Sequence, residues 1–370
     1  MPDHVVLWGP PDVDGSPEGT EDSRLLSAWM KKCADHGVTK IIDGSARVLP
    51  AGERTLARPR AARRAGMKFD TYVDYNGFPR HGGARMTYGW SLDFLRPPVN
   101  SAEARAILDQ HRPIYHGPYV TTEMSGFAAR HPEYRSLTRN RSYVLEPGQD
   151  VYLSASFPQV RDHQARMFVE ALEVTRADGL QVEFVLGNED ENGVVPYGYE
   201  DRTVSEFRAG FGKDPFDLPN DDPDWMRFRA EYVTLFLLEV RARIKRSSPE
   251  AVLSTTIIAG EPEDYIKVLQ DWPAWIEQGL LDEFYLWFRT DSDLEAVRRQ
   301  VRHVVDVAAG RVPVIAELSC YHPGSFQDPE SMLTAGRIAV DNGASGVGIY
   351  RSHSVRQLDF WPVLESLSKL

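Results

Sequence analysis

Cysteine is nearly missing from this 370-residue chain, which has only Cys33 and Cys320, far apart in sequence. Two isolated thiols exclude a disulfide framework and a paired-cysteine metal motif. His116, His131, His303, His322 and His353 are scattered, and no His-x-His or Glu-x-x-His pair marks a zinc or di-metal centre, so no metal is expected. No dinucleotide glycine fingerprint follows the first strand-like run, and a serine nucleophile elbow and a phosphate-cradling glycine loop are both missing. No cofactor is expected either. No stretch approaches the ~18 apolar residues of a membrane span. No basic region precedes the first apolar run as it would in a signal peptide, so the expected compartment is the cytoplasm, or the exterior if a leader has been removed. Positive charge is in short supply: 42 Lys and Arg stand against 54 Asp and Glu, a net charge of -12. Such a surface repels nucleic-acid phosphates and anionic lipid, which argues against both as partners. The basic cluster from Arg58 to Arg64 is the local exception and reads as a solvated face rather than an anion site.

With 42% hydrophobic residues the chain can bury a large core. Short β-rich runs alternate with amphipathic helical stretches, the order that builds a parallel sheet wrapped by helices. Strands are expected at His4–Trp8, Val38–Ile42, Met67–Asp74, Leu180–Leu186, Leu253–Ile258, Glu283–Phe288, Val312–Leu318 and Gly346–Tyr350. Helices are expected from Leu25 to His36, from Pro158 to Arg176 and from Pro223 to Ser247. Eight strands with seven or eight helices fit a closed α/β (β/α)8 TIM barrel, one domain over residues 1–370, better than an open sheet. Residues 76–145 break the rhythm and far exceed the ~2–6 residues of an ordinary βα connection. An insertion after strand three reads as part of the cleft, because βα loops lie on the catalytic face.

Catalytic groups in such a barrel project from the C-terminal strand ends. On the fourth strand, alternation puts Leu180, Val182, Phe184 and Leu186 on one face and Gln181 and Glu183 on the other, towards the barrel axis. A carboxylate there is costly to bury unless it is paired. Glu189, after Asn188, is a second strand-four candidate. The seventh strand ends its apolar run in Glu317, followed by Tyr321 and His322. Two such carboxylates can serve as acid and nucleophile in glycoside hydrolysis. Sugar rings pack their apolar faces on aromatics, and Tyr75, Trp90, Tyr285, Trp287, Tyr321 and Tyr350 crowd the strand ends or the insertion. Arg289 closes strand six; Asp74 and Asp43, ending strands three and two, could accept from hydroxyls. In the insertion Trp90, Tyr115, His116 and Tyr119 are further sugar-contact candidates.

These residues resemble the family-10-like glycosyl-hydrolase-like barrels described mainly in bacteria. His131-Pro132-Glu133-Tyr134 is similar to that family's His-Pro-Glu-Trp, and the segment Tyr152–Arg161 to its Leu-x-Pro-x-x-Pro-x-Val-Arg. Asp178-Gly179-Leu180-Gln181-Val182-Glu183-Phe184 is similar to its Asp-Gly-Ile-His-Leu-Asp-Tyr strand. Phe207, Phe211-Gly212-Lys213-Asp214-Pro215, Trp225, Phe228-Arg229, Val233-Thr234 and Gly279-Leu280-Leu281-Asp282 extend the likeness over about two-thirds of the chain. It departs where the family's strand-four aspartate is Glu183 and where Leu186-Gly187-Asn188-Glu189 replaces Arg-Tyr-Pro. Asn188-Glu189 set against Glu317 also resembles the large retaining-glycosidase clan, whose acid/base follows an asparagine on strand four.

Both resemblances imply a glycosidase acting on a carbohydrate substrate, with Glu317 as nucleophile and Glu183, or else Glu189, as acid/base. A non-catalytic carbohydrate-binding barrel is the alternative, as is a lyase or aldolase on a small sugar acid. No strand-end lysine offers itself for a Schiff base. The sequence leaves open the sugar, the linkage and whether copies associate as a homo-oligomer.

Overall fold

In a computed structural model of the chain the described residues are 4–9, 23–43, 53–74, 131–142, 153–183, 190–261, 264–288, 292–321 and 324–370. The strands are β1 (His4–Trp8), β2 (Lys40–Asp43), β3 (Lys68–Asp74), β4 (Gly179–Glu183), β5 (Val252–Ile258), β6 (Glu283–Phe288), β7 (Val314–Ser319) and β8 (Gly346–Tyr350). Each pairs in parallel with the next, and β8 pairs with β1, Trp8 opposite Tyr350, so the sheet closes into a barrel. The described helices are α1 (Ser23–Asp35), α2 (Glu53–Arg64), α3 (Pro158–Thr175), α4 (Asp201–Phe211), α5 (Pro223–Ser247), α6 (Trp272–Glu277), α7 (Leu294–Ala308), α8 (Pro329–Asp341), α9 (Ser352–Gln357) and α10 (Trp361–Leu367). This is the (β/α)8 TIM barrel expected from the alternation of elements.

Most strand limits fall within a residue or two of expectation. β2 starts later because the Val38 amide still closes the end of α1 on the Cys33 carbonyl. β4 is described only as far as Glu183, and most of the insertion lies outside the described residues. Helix starts follow side-chain caps: Asp222, Asp293 and Asp328 accept from first-turn amides of α5, α7 and α8. Proline supplies the pre-set first position in α3, α5 and α8. The Arg58–Arg64 cluster is partly spent on structure, with Arg58 on Asp43 at 2.8 Å and Arg63 on Asp178 at 3.3 Å.

Strand alternation creates two separate apolar systems. Outward residues such as Leu7, Ile41, Phe69, Leu180, Val182, Phe284, Leu286 and Ala316 pack with the helices in one large core. Inward residues Val6, Trp8, Ile42, Tyr72, Tyr285 and Ile315 form a second cluster in the lumen. The strand registers stack inward positions in layers drawn from alternate strands. Gly346 belongs at the seam, since a Cβ there would lie 2.5 Å from the His4 carbonyl oxygen.

The lowest layers are ionic. Lys40, the first residue of β2, lies inside the barrel with its Nζ 2.6 Å from Glu283 Oε2 and 2.9 Å from Asp70 Oδ2. Tyr285 donates its hydroxyl to the same Glu283 oxygen at 2.9 Å. Gly179 leaves the space that Asp70 occupies, for a Cβ would come within 2.6 Å of its Oδ1. Sequence reading found no lysine at a strand end inside the barrel. Lys40 is inside, but at the end of its strand away from the mouth and held by two acids.

Burial pushes the Asp70 carboxyl up to about 6, against the pull of Lys40 and with the push of Glu283. A proton bound more tightly in the folded state adds stability that is full below the ordinary carboxyl range and is lost as pH rises through about 6. We therefore expect wild-type unfolding free energy to fall between about pH 4 and pH 6 relative to Asp70→Asn, measured by urea denaturation across pH. Lys40→Met, which strands two buried acids, should cost roughly 3–5 kcal/mol at pH 7.

Candidate active site

At the C-terminal end of the lumen the register brings Trp8, Tyr72, Thr256 and Glu317 into one layer, on β1, β3, β5 and β7. Just beneath it lie Ile42, Gln181, Tyr285 and Gly348. The next inward positions above are Glu183, Trp287 and Tyr350, and then Asp74, whose Cα pairs with that of Glu183 across β3 and β4. Paired strands stand about 4.8 Å apart, so these two carboxylate residues are neighbours at the mouth. Their backbones are described and their side chains are not.

Glu317 is only 1% exposed. Thr256 Oγ1 lies 3.3 Å from its Oε2, and Gln181 Nε2 donates to that same Thr256 oxygen at 2.7 Å. Above and beside it the rings form a wall: Trp8 to Tyr72 at 5.4 Å, Trp8 to Tyr350 at 6.0 Å, and Trp287 to Tyr350 at 5.0 Å between centroids. Tyr321, 38% exposed, continues the wall to the rim, with the Arg351 guanidinium 4.0 Å from its ring centroid. Aromatic faces beside a buried carboxylate can hold a ring-shaped, hydroxylated ligand against a reactive oxygen.

The structure thus brings Glu317, Trp287, Tyr350 and Tyr321 together, with the backbones of Glu183 and Asp74 beside them. Gln181 and Tyr285 lie deeper, both fully buried, one bound to Thr256 and the other to Glu283. Asp43 turns outward to Arg58. Tyr75, Trp90, His116, Asn188, Glu189, Arg289 and His322 lie outside the described residues, as do Tyr115 and Tyr119. Sequence reading missed Trp8, Tyr72 and Thr256. The two-residue period applied to β1, β3 and β5, as it was to β4, would have found them. Cys320, two residues before the undescribed segment that holds His322, is buried, which pushes its thiol up to about 12 and disfavours the thiolate. Among the described residues no group of three or more His, Cys, Asp and Glu side chains could hold a metal, and no helix is long and apolar enough to cross a membrane.

The loop after β4 is anchored from its far end. Asp190 accepts from the Asn192 and Val194 amides and from Asn220, which in turn accepts from the Tyr199 hydroxyl. The buried Arg229 guanidinium donates to the Val195, Tyr197 and Asn220 carbonyls and lies against the Trp225 ring. The last part of the insertion packs on this same loop: the Gly198 and Tyr199 amides donate to the Leu137 carbonyl, and buried Glu200 accepts from the Leu137 amide. Phe207, Phe211, Trp225 and Phe228 stack around the base of α4 and α5. A groove of about 480 Å³ beside the mouth is lined by Ile257 and Leu286, so it opens on the outer side of the sheet and is not the lumen.

A parallel (β/α)8 barrel whose lumen ends in a buried glutamate and an aromatic wall is glycoside-hydrolase-like. The chain belongs to the glycosyl hydrolase-like 10 family, whose model matches residues 93–306, more than half of its length. Among solved structures, it is similar to the PgaB (BpsB) glycoside hydrolase domain of Bordetella bronchiseptica at 13% identity, covering 99% of this chain and 98% of that one with a TM-score of 0.60. It is also similar to a beta-galactosidase of the psychrophilic Marinomonas ef1, at 11% identity, 94% and 54% coverage and a TM-score of 0.53. A GH36 alpha-galactosidase of Geobacillus stearothermophilus, in complex with stachyose, gives 11% identity, 100% and 42% coverage and a TM-score of 0.51. At these identities the likeness is one of fold. No curated protein matches the chain.

Arg229→Lys keeps the charge but cannot reach three carbonyls, so the strand-four loop should loosen. Limited proteolysis should cut first between residues 190 and 200, and denaturant unfolding should register a loss of roughly 2 kcal/mol.

Proposed function

We propose that the protein is a retaining glycoside hydrolase with Glu317 as nucleophile and Glu183 as acid/base. The reading rests on one observation: the carboxylate of Glu317 is buried at the upper end of the lumen, hydrogen-bonded by Thr256 and flanked by the Trp8, Trp287 and Tyr350 wall. In the first step Glu317 attacks the anomeric carbon while Glu183 protonates the departing glycosidic oxygen. In the second, Glu183 takes a proton from water, which displaces the sugar from Glu317. A retaining pair works with its carboxyl groups ~5–5.5 Å apart. Glu183 occupies the inward β4 position above Gln181, and a glutamate there reaches further than an aspartate would. Asp74, its register partner, is an acid that could orient a substrate hydroxyl.

Residues 76–145 belong to this same reading as one wall of the cleft within a single catalytic barrel. The contacts of Leu137 with residues 198–200 support it, because that loop leaves the catalytic end of β4. The closeness to glycoside hydrolases in fold is a further support, since carbohydrate cleavage is the activity named for each of those proteins.

On a panel of nitrophenyl glycosides, Glu317→Gln should lower kcat by several orders of magnitude with little change in Tm. A variant that keeps a tenth of wild-type turnover would remove Glu317 from the nucleophile role. Glu183→Ala should keep bond cleavage on activated substrates, and added azide should speed its second step. If Glu189→Ala shows azide rescue instead, the acid/base is Glu189.

A further inference from the structure

The three-residue chain from Gln181 through Thr256 to Glu317 has a direction. Gln181 Nε2 carries only hydrogens to give, so at 2.7 Å it makes Thr256 Oγ1 an acceptor. The threonine hydroxyl has one hydrogen of its own, and the next oxygen along is Glu317 Oε2 at 3.3 Å. With the hydroxyl donating, that oxygen must accept, which is what an ionised carboxylate does. A hydrogen bond received by the charged form of a carboxyl group favours that form over the protonated one. All three side chains are buried, so solvent does not compete for these bonds.

We propose that Gln181 and Thr256 are positioning residues that keep Glu317 a carboxylate, oriented from the side of β4 and β5. This rests on the reading of Glu317 as nucleophile only for its catalytic consequence; the charge state itself can be tested without turnover. Among the described residues, the other ionisable ones around Glu317 are Tyr285 on β6, Tyr72 on β3 and the Lys40–Asp70–Glu283 group below, with the backbone positions of Glu183 and Asp74 on β4 and β3 above. Tyr285 is held neutral far above its ordinary range by burial first, then by the charges of Glu283, Asp70 and Glu317. From β1 and β8 come Trp8 and Gly348, which do not ionise, and above them the phenol of Tyr350.

The test is a pH titration of the Glu317 carboxyl carbon by NMR in protein carrying ¹³C-labelled glutamate, assigned by its loss in Glu317→Gln. Alongside it, kcat/KM is followed against pH on a nitrophenyl glycoside. Thr256→Val removes the donor at nearly constant volume and should move the Glu317 titration upward by about one pH unit, with the acid limb of kcat/KM following. Thr256→Ser should return both towards the wild-type position. Should Thr256→Val fail to fold, Thr256→Ala carries the same measurement. A titration that stays put in Thr256→Val or Thr256→Ala overturns the proposal. A shifted titration in a protein that turns over no glycoside would leave the hydrogen-bond chain standing and overturn the glycosidase reading instead.

Discussion

Closing eight strands on themselves turns every second residue of each strand towards a lumen in which most of the described side chains are buried. Everything polar in that space has to find its partners there. The barrel meets much of this demand at three heights: an ion group of Lys40, Asp70 and Glu283 at the bottom, packed rings and aliphatic chains in the middle, and the hydrogen-bonded set of Gln181, Thr256 and Glu317 towards the top. Tyr285 links the lower two, with its ring among the apolar side chains and its hydroxyl on Glu283. A charge that would be prohibitive alone is tolerable where its neighbours are fixed by strand register.

The fold was legible in the sequence because both of its periods are strong. Outward strand faces are almost unbroken runs of Val, Ile, Leu and Phe, and the helices between them carry caps and initial prolines that mark their starts. β7 and β8 are plain in this way. The site was legible only in part. Glu317 stood out because a carboxylate interrupts an apolar run, and Trp287 and Tyr350 because they end strands. Thr256 and Tyr72 gave no such signal, since threonine and tyrosine are ordinary strand residues and their role comes from layering across the barrel. Nor could the sequence separate Gln181 as a substrate contact from Gln181 as a support, because both face the axis and only depth distinguishes them.

The motifs that carry the family resemblance turn out to be mostly scaffold. Asp214 caps the short turn at Pro215–Asp217 and pairs with Arg208, Lys213 pairs with Asp224, and Phe207, Trp225 and Phe228 stack together. Arg229 binds carbonyls of the strand-four loop. These residues hold one flank of the mouth in shape without touching its centre. Family likeness in this region therefore reports how the flank is built.

The separation of the lumen by height has a consequence for descent. The ion group sits where the strands begin and the mouth where they finish, with Val6, Ile42 and Ile315 between them. Changes near Trp8, Trp287 or Tyr350 leave the partners of Lys40 untouched. A lineage can thus try new side chains and longer loops at the top while its foundation stays in place. That latitude is narrowest at Tyr285, which takes part in both regions, so drift there would be felt at the two ends of the barrel together.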